Sequence, residues 1–110
     1  MNTLSQRFNE AEKLKDQGKA EDASVILNEI LAENPEHVLA HLTLARICTQ
    51  QGKHEEAIEH AETACKLEPT DSFNFTVLSV TYQRAWAGTQ DQRYIQMAED
   101  AMARSRMISG

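Results

Sequence analysis

At 110 residues the chain is long enough for one modest core and too short for two independent ones. Its apolar fraction of 41% and charged fraction of 25% are those of ordinary globular proteins, and its two prolines and four glycines leave few breaks in helices. A net charge of −6 without a long basic run argues against sequence-independent nucleic-acid binding, and no apolar run approaches the roughly 18–20 residues of a membrane span.

The acidic excess is uneven. Residues 1–37 carry four basic and eight acidic side chains and residues 38–71 three and six, whereas residues 72–110 carry four basic against three acidic. That polarity fits a solvated surface, or complementarity between the ends of neighbouring molecules. Met1 to Glu12 contains no apolar signal-peptide core, so a cytoplasmic location is expected. Cys48 and Cys65 are too few for a disulfide framework. On the hairpin described below they are displaced by roughly 12 Å, too far to bridge, so both are expected as reduced core thiols.

In chain order, residues 3–17 place Leu4, Phe8, Ala11 and Leu14 at helical spacing, and Gly18 ends the helix by taking the left-handed conformation. A second helix over 20–33 carries Ala20, Ala23, Leu27, Ile30 and Leu31 on one stripe, and Asn34-Pro35 stops it. The pattern then recurs 34 residues later. Ala11, Gly18, Lys19, Glu21, Ala23 and Pro35 return as Ala45, Gly52, Lys53, Glu55, Ala57 and Pro69. A helical repeat of that length means stacked helical hairpins. The second copy runs from Glu36 to Gln51 and from Lys53 to Leu67. Its first helix is apolar over a wide arc, as expected of a middle hairpin packed on several sides. Ala45, Ala57, Ala61 and Ala64 are small enough to let backbones approach closely.

These residues resemble the tetratricopeptide repeat family across 4–71. The small residue of the first helix is Ala11 and Ala45, the turn glycine is Gly18 and Gly52, the alanine of the second helix is Ala23 and Ala57, and the closing proline is Pro35 and Pro69. Arg7 and His41 stand where the family usually has an early aromatic, and Leu14 and Cys48 replace the ring before the turn. The resemblance implies an all-α, right-handed superhelix of about six helices in one domain, with repeats over 4–37, 38–71 and a divergent 72–108. In the third, Phe75, Leu78 and Tyr82 fill the family's slots, and Asp71 or Ser72 can cap the helix. Its turn glycine is missing at Trp86. The last helix is expected to begin after Gly88, capped by Thr89 or Asp91, and to run to Ile108. With Ala98 as counterpart of Ala57, this hairpin has gained seven residues, about one turn per arm. Trp86 and Tyr94 are then expected to face each other at a projecting tip.

The resemblance further implies a concave groove for an extended or helical peptide. Its slots here are Phe8, Glu12 and Lys15, then Leu39, Leu42, Arg46 and Thr49, then Phe73, Thr76, Val80, Gln83 and Arg84. The family subclass that clamps chaperone C-termini needs lysine, asparagine and arginine where this chain has Phe8, Glu12, Thr43, Phe73 and Val77, so that partner is not expected. His37 and His41 share a helix face but lack a third ligand, and are read as exposed histidines. His54-Glu55-Glu56 lacks the second histidine of a zinc-protease helix, and Glu55, Glu56, Glu59 and Glu62 read as a solvated ridge. With no nucleophile motif or phosphate loop, no enzyme, metal or cofactor is expected. On the last helix, Tyr94, Met97, Ala98, Ala101, Ser105 and Ile108 are expected to face its partner helix, leaving Ile95 and Met102, with Met107 nearby, on another face. The expected function is a non-catalytic adaptor or scaffold that binds a protein or peptide partner. The alternative is a homodimer or longer self-assembly through Trp86, Tyr94, Ile95 and Met102.

Overall fold

Thr3 opens the first helix with a reciprocal cap: its hydroxyl accepts from the Gln6 N–H, and the Gln6 side chain accepts from the Thr3 N–H. The structure, a computed structural model, describes residues 3–110; Met1 and Asn2, where the stretch read for a signal peptide begins, lie outside the described residues. Among the described residues six helices follow in antiparallel pairs: α1 (Leu4–Asp16) with α2 (Ala20–Glu33), α3 (Val38–Gln50) with α4 (His54–Leu67), and α5 (Ser72–Thr89) with α6 (Arg93–Ser109). Among the described residues there is no strand. The all-α hairpin architecture expected from the 34-residue offset is the one observed.

The two repeated turns close identically. Gly18 and Gly52 have φ of +80° and +76°, and Lys19 N–H and Lys53 N–H reach back to the carbonyls of Leu14 and Cys48, both at 2.8 Å. This cap satisfies carbonyls that a helix end otherwise leaves unpaired. Glu21, Asp22, Glu55 and Glu56 occupy the first turns of α2 and α4, where the helix dipole favours negative charge.

Packing explains the wide apolar arc of α3, which touches α1, α2, α4 and α5 and contributes to two core clusters. One gathers Ala11, Ala23, Leu27, Ile30, Ala40, Leu44 and Ile47; the other joins Ala45, Ile58, Ala61 and Cys65 to Leu78, Tyr82, Ala85, Ala98 and Ala101. The small residues sit where helices approach most closely, and Ala11, Ala45 and Ser79, spaced by 34, are all fully buried. Cys48 and Cys65 are buried and free, as expected.

The polar residues in the family's aromatic slot are held by polar partners. Arg7 on α1 pairs with Glu33 and, at 3.6 Å, with Glu29, both on α2. His41 is buried rather than exposed. Its Nε2 lies 2.8 Å from the Pro35 carbonyl and its Nδ1 3.0 Å from His60 Nδ1. A carbonyl only accepts, so His41 Nε2 carries a proton, and the two Nδ1 atoms share a single proton between the rings. His37 is half-buried against Phe8, and its Nδ1 accepts from the Ala40 N–H as an N-cap. These histidines are therefore structural, which corrects the exposed reading.

Burial and the neighbouring His41 lower the His60 pKa, despite the opposing pull of Glu59 and Glu56. The unfolded chain takes up this proton near 6.5, the fold only at lower pH. Between those values the unfolded state binds more protons, so stability is fully present above about 6.5 and falls as the solution is acidified through that window. The melting temperature should drop from pH 7 to pH 5, and His60→Asn, which keeps a donor near the Nδ1 position, should flatten the drop. Parallel profiles for both proteins would refute this assignment.

The third hairpin departs from expectation at its tip. Gly88 is not the turn; α5 continues through it to Thr89, and Gln90 takes the left-handed conformation with φ +63°. Gly88 lies against the His54 ring, which a Cβ there would meet. Asp91 accepts from the Arg93 N–H at 3.1 Å, opening α6. At 18 and 17 residues these helices exceed α3 and α4, of 13 and 14, by about one turn each, as the seven extra residues predicted.

Candidate functional site

Two grooves flank α5. The first lies between α3 and α5, encloses about 760 Å³, and is lined by Arg46, Thr49, Gln50 and His54 on one side and by Phe73, Thr76, Val77, Val80, Thr81, Arg84, Ala87 and Gly88 on the other. Phe73 is 53% exposed, and Arg46, Val80 and Arg84 are also exposed. Neither Arg46 nor Arg84 forms an ion pair with a described residue. The Thr49 hydroxyl and His54 Nδ1 are buried here without a hydrogen-bond partner among the described residues. A groove lined by apolar side chains and two arginines can hold a carboxylate while burying apolar side chains beside it.

The residues expected to line one continuous groove are thus divided. Arg46, Phe73, Thr76, Val80 and Arg84 are brought together. Leu42 is only 8% exposed and belongs to the packing of α3, not to an open wall. Phe8 is half-buried on His37, and Leu39 is exposed away from this groove. Glu12 accepts from the Thr43 hydroxyl at 3.0 Å and pairs with Lys15 at 2.7 Å. Burial opposes its ionisation, but the bonds from Lys15 and Thr43 and the charges of Lys15 and Arg46 outweigh burial and lower its pKa. Glu12 is thereby a charge already engaged, tying α1 to α3.

The second groove, about 1030 Å³, runs between α5 and α6, where Gln83, Arg84, Trp86, Ile95, Glu99, Met102 and Arg106 line it beside Ser79, Val80, Ala87 and Ala98. Trp86, Ile95 and Met102 thus meet, but Tyr94 does not join them. It stacks on Tyr82 with ring centroids 6.0 Å apart and faces α4. The expected Trp86–Tyr94 pairing is corrected. Successive helical residues are turned by about 100°, so Ile95 rather than Tyr94 comes round to Trp86. Met107 likewise lies on the opposite flank with Phe75 and Met97, and Met97 is largely exposed. Ala98, Ala101 and Ser105 are buried as expected: the Ser79 hydroxyl donates to the Ala98 carbonyl at 2.7 Å, and the Thr76 and Ser105 hydroxyls lie 2.8 Å apart.

Near these grooves, Tyr82 donates to Glu62 at 2.6 Å, and burial together with that carboxylate raises the tyrosine pKa. Burial, reinforced by nearby Glu62, pushes the Cys65 thiol up to about 11, and burial with Glu56 raises Cys48. Both are poor nucleophiles in such surroundings. Among the described residues no three His, Cys, Asp or Glu side chains are placed to hold a metal ion, and no helix is long and apolar enough to cross a membrane.

Sequence reasoning missed Gln50, His54 and Gly88 as groove residues. The available signal was the seven-residue lengthening itself. One more turn on α5 carries residues 86–89 past the α3–α4 turn, where His54 begins α4.

The turn glycines, the fully buried alanines and the stacked hairpins agree with a comparison against protein families, in which the model described as tetratricopeptide repeat matches residues 14–72. No match is found among curated proteins. The matched span exceeds half of the sequence and includes the turns at Gly18 and Gly52 as well as Pro35 and Pro69, so the chain belongs to the tetratricopeptide repeat family, whose repeats generally mediate protein–protein interaction.

Proposed function

We propose that the α3–α5 groove binds an extended or helical segment of a partner protein that carries a carboxylate beside apolar side chains, and that the chain acts as a non-catalytic adaptor or assembly module. The observation that carries this reading is that Arg46 and Arg84, free of ion pairs among the described residues, line the same groove as exposed Phe73 and Val80. Arg presents a planar fork of donors that suits a carboxylate, and the apolar wall supplies the area. On this reading residues 72–108 are a divergent third repeat of one domain, whose α5 forms half of the groove.

Selection of random 12-residue peptides on the immobilised full chain tests it. Enriched peptides should carry Asp or Glu within a helical turn of Phe, Leu or Ile. Their binding should weaken with salt and perturb the backbone amide resonances of Thr49, Val80 and Arg84. Enriched peptides without acidic residues, or perturbations confined to other helices, would reject the reading.

A further inference from the structure

Each hairpin of the stack is seated by the first helix of the next: α3 packs on α1 and α2, and α5 on α3 and α4. Hairpin three presents the equivalent surface, the α5–α6 groove, with no described helix on it. That surface is apolar. Trp86 and Ile95 are 38% and 42% exposed in the α5–α6 groove, and Met102 lies between them and Arg106 along its floor. We infer that a second copy of this chain covers this face, the α5–α6 surface of one copy pairing with that of the other about a two-fold axis. This stands independently of what the α3–α5 groove binds.

Charge complementarity supports the self-pairing. Glu99 shares the groove with Arg84 and Arg106. A two-fold axis sets each surface against its own reversed copy, and one passing between Glu99 and Arg106 sets Glu99 of each molecule against the other's arginine. The opposite end of the stack argues against a head-to-tail arrangement. Every exposed residue of α1 and α2 is polar or charged except Val25 and Ala32. Stacking that end on Trp86, Ile95 and Met102 would set acidic side chains against apolar ones. The acidic-to-basic polarity of the chain does favour such stacking at long range, but salt screens it within about 8–10 Å, whereas apolar burial acts at contact.

The area available is modest. Two helices of this length, each about 25 Å long and 8–10 Å apart, offer a face of about 25 by 20 Å. That is on the order of 500 Å² per copy, or about 1,000 Å² in total, at the threshold of a specific interface. An interface of this size is of the weak, transient class, so a reversible dimer is expected.

Sedimentation velocity of the full chain from about 1 to 300 µM tests this. The expected result is reversible monomer–dimer exchange with no larger species. Met102→Glu and, separately, Ile95→Glu should weaken association about tenfold or more, with helicity by circular dichroism unchanged. If either variant fails to fold, the other decides. Arg106→Glu should also weaken the dimer, and adding Glu99→Arg should restore it, because the reversed pair is again complementary. A monomer throughout the range, growth into longer assemblies, or a dimer unaffected by the folded variants would overturn the inference.

Discussion

Replacing Asn74 by leucine should cost about 2–3 kcal/mol of stability and lower the melting temperature by roughly 10–20 °C. Asn74 is 1% exposed at the start of α5, and its Nδ2 donates to the carbonyls of Glu68 at 3.2 Å and Ala64 at 3.3 Å. Those carbonyls lie in the last turn and at the cap of α4, and Pro69, which has no N–H, follows directly. Glu68 N–H already reaches the Ala64 carbonyl, so the larger loss falls on Glu68, whose carbonyl otherwise receives only a long 3.4 Å bond from Asp71 N–H. Leucine has the same number of side-chain heavy atoms but more bulk, so no void is left and any excess loss reflects overpacking. Asn74→Asp is the sharper control, since it keeps the shape but removes both donors and sets a carboxylate beside carbonyl oxygens; it should destabilise at least as much. Thermal melts followed at 222 nm decide. A leucine variant melting within about two degrees of the parent would show that this cap contributes nothing. Against a total stability of roughly 5–15 kcal/mol, the predicted loss is large.

Reversing both groove arginines, Arg46→Glu with Arg84→Glu, should weaken binding of a selected acidic peptide by about 100-fold or more. Each charge-assisted bond contributes about 1.5–3 kcal/mol, and reversal adds repulsion. Both side chains are exposed, so the fold should persist, with a modest loss of stability where Arg46→Glu sets a second carboxylate near Glu12, which circular dichroism measures separately from binding. Fluorescence anisotropy with a labelled peptide measures the effect. The lysine versions refine it: if the carboxylate is gripped by the guanidinium fork, Arg46→Lys and Arg84→Lys lose much of the affinity despite keeping charge. Binding of the doubly reversed protein within about threefold of the parent would move the site elsewhere.

Arg84, Val80 and Ala87 line both grooves, so α5 is the ridge between the two proposed surfaces. A charge at residue 84 would therefore influence peptide binding and self-association together, whereas Arg46 touches only the first groove and Met102 only the second. Comparing those two variants separates the functions.

The sequence by itself determined the hairpins, because what builds them is local. A left-handed turn favours glycine, a proline stops a helix, and close helix packing favours small side chains, so Gly18 and Gly52, Pro35 and Pro69, and Ala11 and Ala45 carry the information in their spacing. Even the lengthened third hairpin was readable as seven surplus residues. Tertiary structure alone decided which residues share a surface. A helix phase error of one residue turns a side chain by about 100°, which is why Ile95 and not Tyr94 reaches Trp86 and why Leu42 lies in the packing. It also decided the pairings of polar groups distant in sequence: His41 with His60 and Pro35, Glu12 with Thr43, and Asn74 with the end of α4. Such pairs form only once the helices have docked, and no spacing rule along a single helix encodes them.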